Sequence, residues 1–140
     1  MSWDVSVQRF GKEYESIADI PDTERCTALG SQAEIRAAIS RFFPGVDWSD
    51  STWGIFDSDD GSVEFNMGGD EPSTGFMMHI RASTKIVPTI VAMCRSERWQ
   101  ALDCSGGCFW NGPSSPTAAS TIGPRIVIMW WAARNPWLQR

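Results

Sequence analysis

Along the first eight residues Trp3, Val5 and Val7 alternate with Asp4, Ser6 and Gln8, a period of two that predicts a strand with one apolar and one polar side. A polar stretch through Pro21 to Gly30 follows. Ser31 and Glu34 then stand three apart, the capping-box spacing in which each side chain satisfies the other's free backbone N–H. Ile35, Ala38, Ile39 and Phe42 recur at i, i+3, i+4 and i+7, so a helix with one buried face is predicted, stopped by Pro44-Gly45.

Three alternating segments make up the middle. Trp53 and Ile55 head the first, Val63, Phe65 and Met67 the second, and Phe76, Met78 and Ile80 the third. Asp60-Gly61 is a tight-turn dipeptide between the first two, and Gly68-Gly69-Asp70 opens the next connection. An antiparallel meander is expected. Ser83 or Thr84 should cap a second helix with Val87, Ile90, Val91 and Cys94 as its stripe, and Pro88 is tolerable there only in the first turn, where its missing N–H is no loss. Ala101 to Cys104 complete the set as a short strand. The order strand, helix, three strands, helix, strand predicts an α+β two-layer sandwich, with both helices on one face of a mainly antiparallel sheet. It is a relative of the ferredoxin-like plan with an extra central strand, and it leaves the other sheet face open.

Charge divides the chain. Residues 1–112 carry nine basic and 17 acidic side chains, whereas residues 113–140 hold only Arg125, Arg134 and Arg140. We therefore take 1–112 as the α+β domain and 113–140 as a basic, aromatic tail beginning in the breaker cluster Gly112-Pro113-Ser114-Ser115-Pro116. Three readings of the tail stand side by side: an arm folded back on the acidic body, a segment that docks another chain, or the product of a frameshift in the gene. Of the eight tryptophans, Trp3, Trp53 and Trp99 fall at positions expected to face the core; Trp130, Trp131 and Trp137 would be an exposed patch.

A net charge of -5 with 42% hydrophobic residues argues against disorder and against general binding to nucleic acid or anionic membranes. The longest apolar run, Ile126 to Ala133, is far shorter than the roughly 18 to 20 residues of a membrane span. Met1-Ser2-Trp3-Asp4 lacks the basic and apolar regions of a secretory leader, so cytoplasmic localisation with reduced thiols is the expectation.

Strand periodicity sends Glu64, Asn66, His79 and Arg81 to the face opposite Val63, Phe65, Phe76, Met78 and Ile80, with Asp4, Ser6 and Gln8 joining them. A carboxylate, an amide, an imidazole and a guanidinium on one surface make a binding face, although any solvated antiparallel face has a similar composition. His79 is the single histidine, so imidazole acid–base chemistry would fall to it, with Glu64 as the orienting partner. Cys104 and Cys108 enclose three residues instead of the two of redox and zinc-knuckle motifs, and no metal or cofactor is expected. Asp57, Asp59 and Asp60 miss the EF-hand register: with Asp57 as position one, Gly61 falls at five instead of six, and Met67 at eleven is followed by Gly68 where a bidentate Glu is needed. They read as a solvated hairpin tip, and Asp47 and Asp50 as turn and cap residues.

Three segments carry a resemblance: Met1-Ser2-Trp3-Asp4-Val5, Pro44-Gly45-Val46-Asp47-Trp48-Ser49-Asp50 leading to Thr52-Trp53-Gly54, and Ala101-Leu102-Asp103-Cys104-Ser105. Over about residues 1–110 the chain resembles a family of small bacterial cytosolic proteins with no assigned activity. The family's late segment continues with Ser or Thr, Gly and an acidic residue, where this chain has Cys108 and the aromatic tail. The resemblance implies no functional residues.

Two functions are compatible with these features. One is a cytosolic interaction module that binds a partner protein through its open polar sheet face, with the size and charge of immunity-type proteins. The other is a small enzyme or small-molecule-binding protein using Glu64, His79 and Arg81. A concave pocket reaching His79 favours the second, and a flat face the first.

Overall fold

The first helix starts where its capping box requires. In the computed structural model, which describes residues 2–113, the Ser31 hydroxyl accepts the Glu34 backbone N–H at 3.1 Å and the Glu34 carboxylate accepts the Ser31 N–H at 3.3 Å. Helix α1 runs Gln32–Phe42 and buries Ile35, Ala38 and Ile39. Helix α2, Val87–Glu97, is preceded by a short 3-10 turn at Thr84–Ile86 and holds Pro88 in its first turn. No side chain caps it, and Ile86 occupies the N-cap position instead of Ser83 or Thr84. At its other end Arg98 adopts φ 60°, and the Arg9 guanidinium donates to the carbonyls of Glu97 and Arg98, the placement of positive charge that a helix C-terminus favours.

Six strands form one sheet: β1 Trp3–Gln8, β2 Asp47–Asp50, β3 Trp53–Ser58, β4 Gly61–Asn66, β5 Gly75–Ala82 and β6 Gln100–Asp103. Every pairing is antiparallel, in the order β2-β3-β4-β5-β1-β6. The fold is therefore α+β with an open sheet. The middle contains four strands where the pattern predicted three, and six strands in this order depart from the ferredoxin-like arrangement. The additional strand is β2. Asp47 and Asp50 lie within it, not in a connecting turn, although their carboxylates make the turn-like bonds expected of them: Asp47 accepts from Ser49 and Asp50 from Thr52.

Both helices pack on the face carrying Trp3, Val5, Val7, Val63, Phe65, Phe76, Met78 and Ile80, where they share one core with Trp99 and Trp110. Burial of an aliphatic or aromatic side chain of this size contributes roughly 1.5–3 kcal/mol. Strand β3 presents Gly54 and Phe56 to that core, and Phe56 meets Phe43 edge to face at 5.2 Å. The Trp48 ring lies on Gly54 so closely that a β-carbon there would come within 2.5 Å of it. Its indole N–H donates to the Ser40 hydroxyl at 3.0 Å.

The opposite face is covered at one end. Gln100, aligned with Gln8, exchanges two 3.0 Å hydrogen bonds with the Tyr14 backbone, and Phe10 packs against both Tyr14 and Phe109. The residues from Arg9 to Tyr14 thus close the β6 end. The Tyr14 hydroxyl donates to Glu24, a contact that raises the phenol to about 12 and lowers the Glu24 carboxyl. The expectations for the tail, residues 113–140, fall almost wholly outside the described residues.

Two outcomes follow from these contacts. Gly54→Ala should destabilise the fold by about 1–3 kcal/mol, because the Trp48 ring must leave its seat; a denaturant midpoint within error of the parent's would refute the packing. Tyr14 is the single tyrosine, so tyrosinate absorbance reads it alone, and its midpoint should fall near 12 and move back towards 10 in Glu24→Gln. A phenol held protonated by the fold stabilises it fully below the unfolded value of 10, and that contribution is lost as pH rises through about 12. The lowered Glu24 carboxyl acts in the opposite sense: its contribution is present above the ordinary carboxyl value and is lost as pH falls through the folded one.

Candidate functional site

Antiparallel register assembles the uncovered face in rows. Asp4, His79, Glu64 and Ile55 are successive partners across β1, β5, β4 and β3. The next row is Ser6, Met77, Asn66 and Trp53. On the other side of the first row, Arg81 pairs with Ser62 and Ser62 with Asp57. Glu64, Asn66, His79 and Arg81 do share one face, away from the helices, as alternation predicted. Arg81 lies one row from His79, points to solvent, and makes no ion pair among the described residues.

The centre of this face is an aromatic contact that periodicity placed in the core. Trp53 faces away from the helices and stacks on His79, with ring centroids 5.6 Å apart and planes inclined by 15°. It reaches there diagonally across β4. Ile55, on the same side, is 39% exposed, one of two large hydrophobic residues left so open among those described. Both sides of β3 are apolar, so alternation by itself could not orient it, and the Trp48 ring on Gly54 decided the matter. A run with Trp and Ile on one side and Gly and Phe on the other is the signal that could have shown the ambiguity.

The imidazole's partner also differs from the expected one. His79 Nδ1 lies 2.8 Å from Asp4 Oδ1, while Glu64 is the cross-strand neighbour on the other side. A carboxylate only accepts, so Nδ1 carries the hydrogen, and in the neutral ring Nε2 holds the lone pair. With side chains 30% and 58% exposed, this contact orients the ring more than it stabilises the fold, at about 0–1 kcal/mol. Asn66 is partly engaged, since its side-chain oxygen accepts the Gly68 N–H at 3.3 Å.

Among the described residues two depressions border this group, and His79 lines neither. One of about 220 Å³ lies between Ser6, Gln8, Asn66, Asp70 and Gly75. The other, about 240 Å³, is bounded by Asp47, Ser49, Asp50, Trp53 and Ile55. Hydrogen bonds from Ser49 and Thr52 hold the Asp47 and Asp50 carboxyls below the usual carboxylate range. All four cysteines are free thiols. Burial pushes the Cys94 thiol up, and partial burial with the nearby Asp4 and Asp103 does the same to Cys104, so neither is primed as a nucleophile. Among the described residues no group of three His, Cys, Asp or Glu is gathered to hold a metal ion, and no helix is long and apolar enough to cross a membrane.

No protein family, curated protein or solved structure matches this chain.

The stack generates a measurable outcome. In a double-mutant cycle with Trp53→Ala and His79→Ala, the coupling energy should be about 0.5–1.5 kcal/mol in favour of the pair. Additivity within error would show that the rings do not interact.

Proposed function

We propose that the protein is a cytosolic bacterial interaction module that binds a partner protein through the uncovered face of its sheet. The observation that carries this reading is Trp53, held by its stack on His79 and set beside exposed Ile55 and half-buried Met77 on a surface otherwise mostly polar. Tryptophan in a fixed orientation, with apolar neighbours and a polar rim, is the composition of an energetic centre in a protein interface. His79 lines neither of the two depressions described on this face, whereas a small molecule needs a concavity to bury most of its surface. Support for the compartment and source comes from the free thiols and from the resemblance of residues 1–110 to bacterial cytosolic proteins. An immunity-type role agrees with the acidic domain but has no residue of its own to carry it.

A second reading, a small enzyme or small-molecule-binding protein around Glu64, His79 and Arg81, draws on the Asp4–His79 contact. An imidazole oriented through Nδ1 presents Nε2 as a general base. Against it, Arg81 stands a row away from the imidazole, and among the described residues neither of the two depressions above is lined by His79.

A photocrosslinking amino acid placed at position 77 should join the protein to its partner in native cells, and one placed at Ala37, on the exposed side of α1, should not. Ile55→Glu should abolish the crosslink while leaving the circular dichroism spectrum unchanged. Equal crosslinking from positions 77 and 37, or full crosslinking in Ile55→Glu, would rule out the sheet face as the contact surface.

A further inference from the structure

Resting on that reading, we infer that the β2–β3 end of the uncovered face accepts a basic segment of the partner polypeptide, with an arginine or lysine side chain seated against Trp53 between Asp47 and Asp50. The depression there, about 240 Å³, has Trp53 and Ile55 as its apolar wall and two carboxylates with Ser49 on its rim. That volume suits one long cationic side chain, whose aliphatic stem can lie on the apolar wall while its head meets the carboxylates. An arginine plane can also lie against an indole face. The turn bonds engage one oxygen of each carboxylate. In each carboxylate Oδ1 takes both the backbone N–H and the hydroxyl of the residue two places on, and no hydrogen bond among the described residues engages either Oδ2.

Charge complementarity selects the occupant. Residues 1–112 hold 17 acidic and nine basic side chains, and Asp57, Asp59 and Asp60 extend the same sign along the neighbouring hairpin, all exposed. None of the five residues lining the depression is basic. An acidic or neutral segment would meet repulsion or leave the rim without a counter-charge, whereas a basic one gains steering from the whole domain as well as contact at the notch.

End-blocked hexa-arginine and hexa-glutamate peptides serve as probes, with the Trp53 indole N–H resonance assigned through Trp53→Phe. Hexa-arginine should shift that resonance and the β2 and β3 amides, and hexa-glutamate should not. The Asp47→Asn and Asp50→Asn double variant keeps the Oδ1 acceptors and removes the charges; it should bind hexa-arginine about tenfold more weakly. The Asp59→Asn and Asp60→Asn control, at the hairpin tip, should change binding less than twofold. Equal weakening by the two double variants would mean attraction by the general field alone, and the seat at Trp53 falls. It falls also if hexa-arginine leaves the β2 and β3 resonances in place. Either result, together with a position-77 crosslink still lost in Ile55→Glu, overturns the notch while the sheet-face reading stands; loss of that crosslink's dependence on Ile55 overturns both.

Discussion

The seat of the Trp48 ring on Gly54 fixes which way β3 faces, and the character of the uncovered surface depends on that contact. A strand has two sides, and a shift of one residue exchanges them completely. With Gly54 and Phe56 turned to the helices, the core gains the Trp48 and Phe56 rings, and Trp53 and Ile55 are turned out. No residue larger than glycine leaves room for an indole at that distance. The hydrogen bond from Trp48 to Ser40 of α1 ties the same ring to the helix layer, so edge strand, sheet and helix are locked by one side chain.

Once turned out, Trp53 organises what lies next to it. Its indole rests on the His79 ring, whose Nδ1 is tied to Asp4, so that β1, β5 and β3 are linked on the solvent side across β4. The result is a stacked aromatic pair on the uncovered face, flanked by carboxylates. On the proposed reading this pair is the part of the surface that an extended polypeptide would meet, because side chains already ordered lose little entropy on binding. The β6 end is unavailable for that purpose, since Arg9 to Tyr14 fold over it and Gln100 holds Tyr14 in place.

Much of the architecture was legible from local pattern. The capping box at Ser31 and Glu34, the stripe of α1, Pro88 in the first turn of α2 and the alternation in β1, β4 and β5 all depend on contacts between residues near in sequence or on simple sidedness. The shared face of Glu64, Asn66, His79 and Arg81 was legible for the same reason. Strand β2 was not, because Asp47 and Asp50 have the side chains and the hydrogen bonds of turn residues while their backbone pairs with β3. The partner of His79 was also hidden: Asp4 is 75 residues away, and only the pairing of β1 with β5 brings it there.

The sequence by itself determined an acidic α+β domain, the capped start of α1 and the polar side of its central strands, since periodicity and capping act within a few residues of each other. Tertiary structure alone decided the order of the strands, the outward turn of Trp53, the Asp4 contact of His79 and the covering of the β6 end. Each of these depends on contacts between segments distant along the chain, and an apolar residue on a strand with two apolar sides has no local reason to choose the core over the surface.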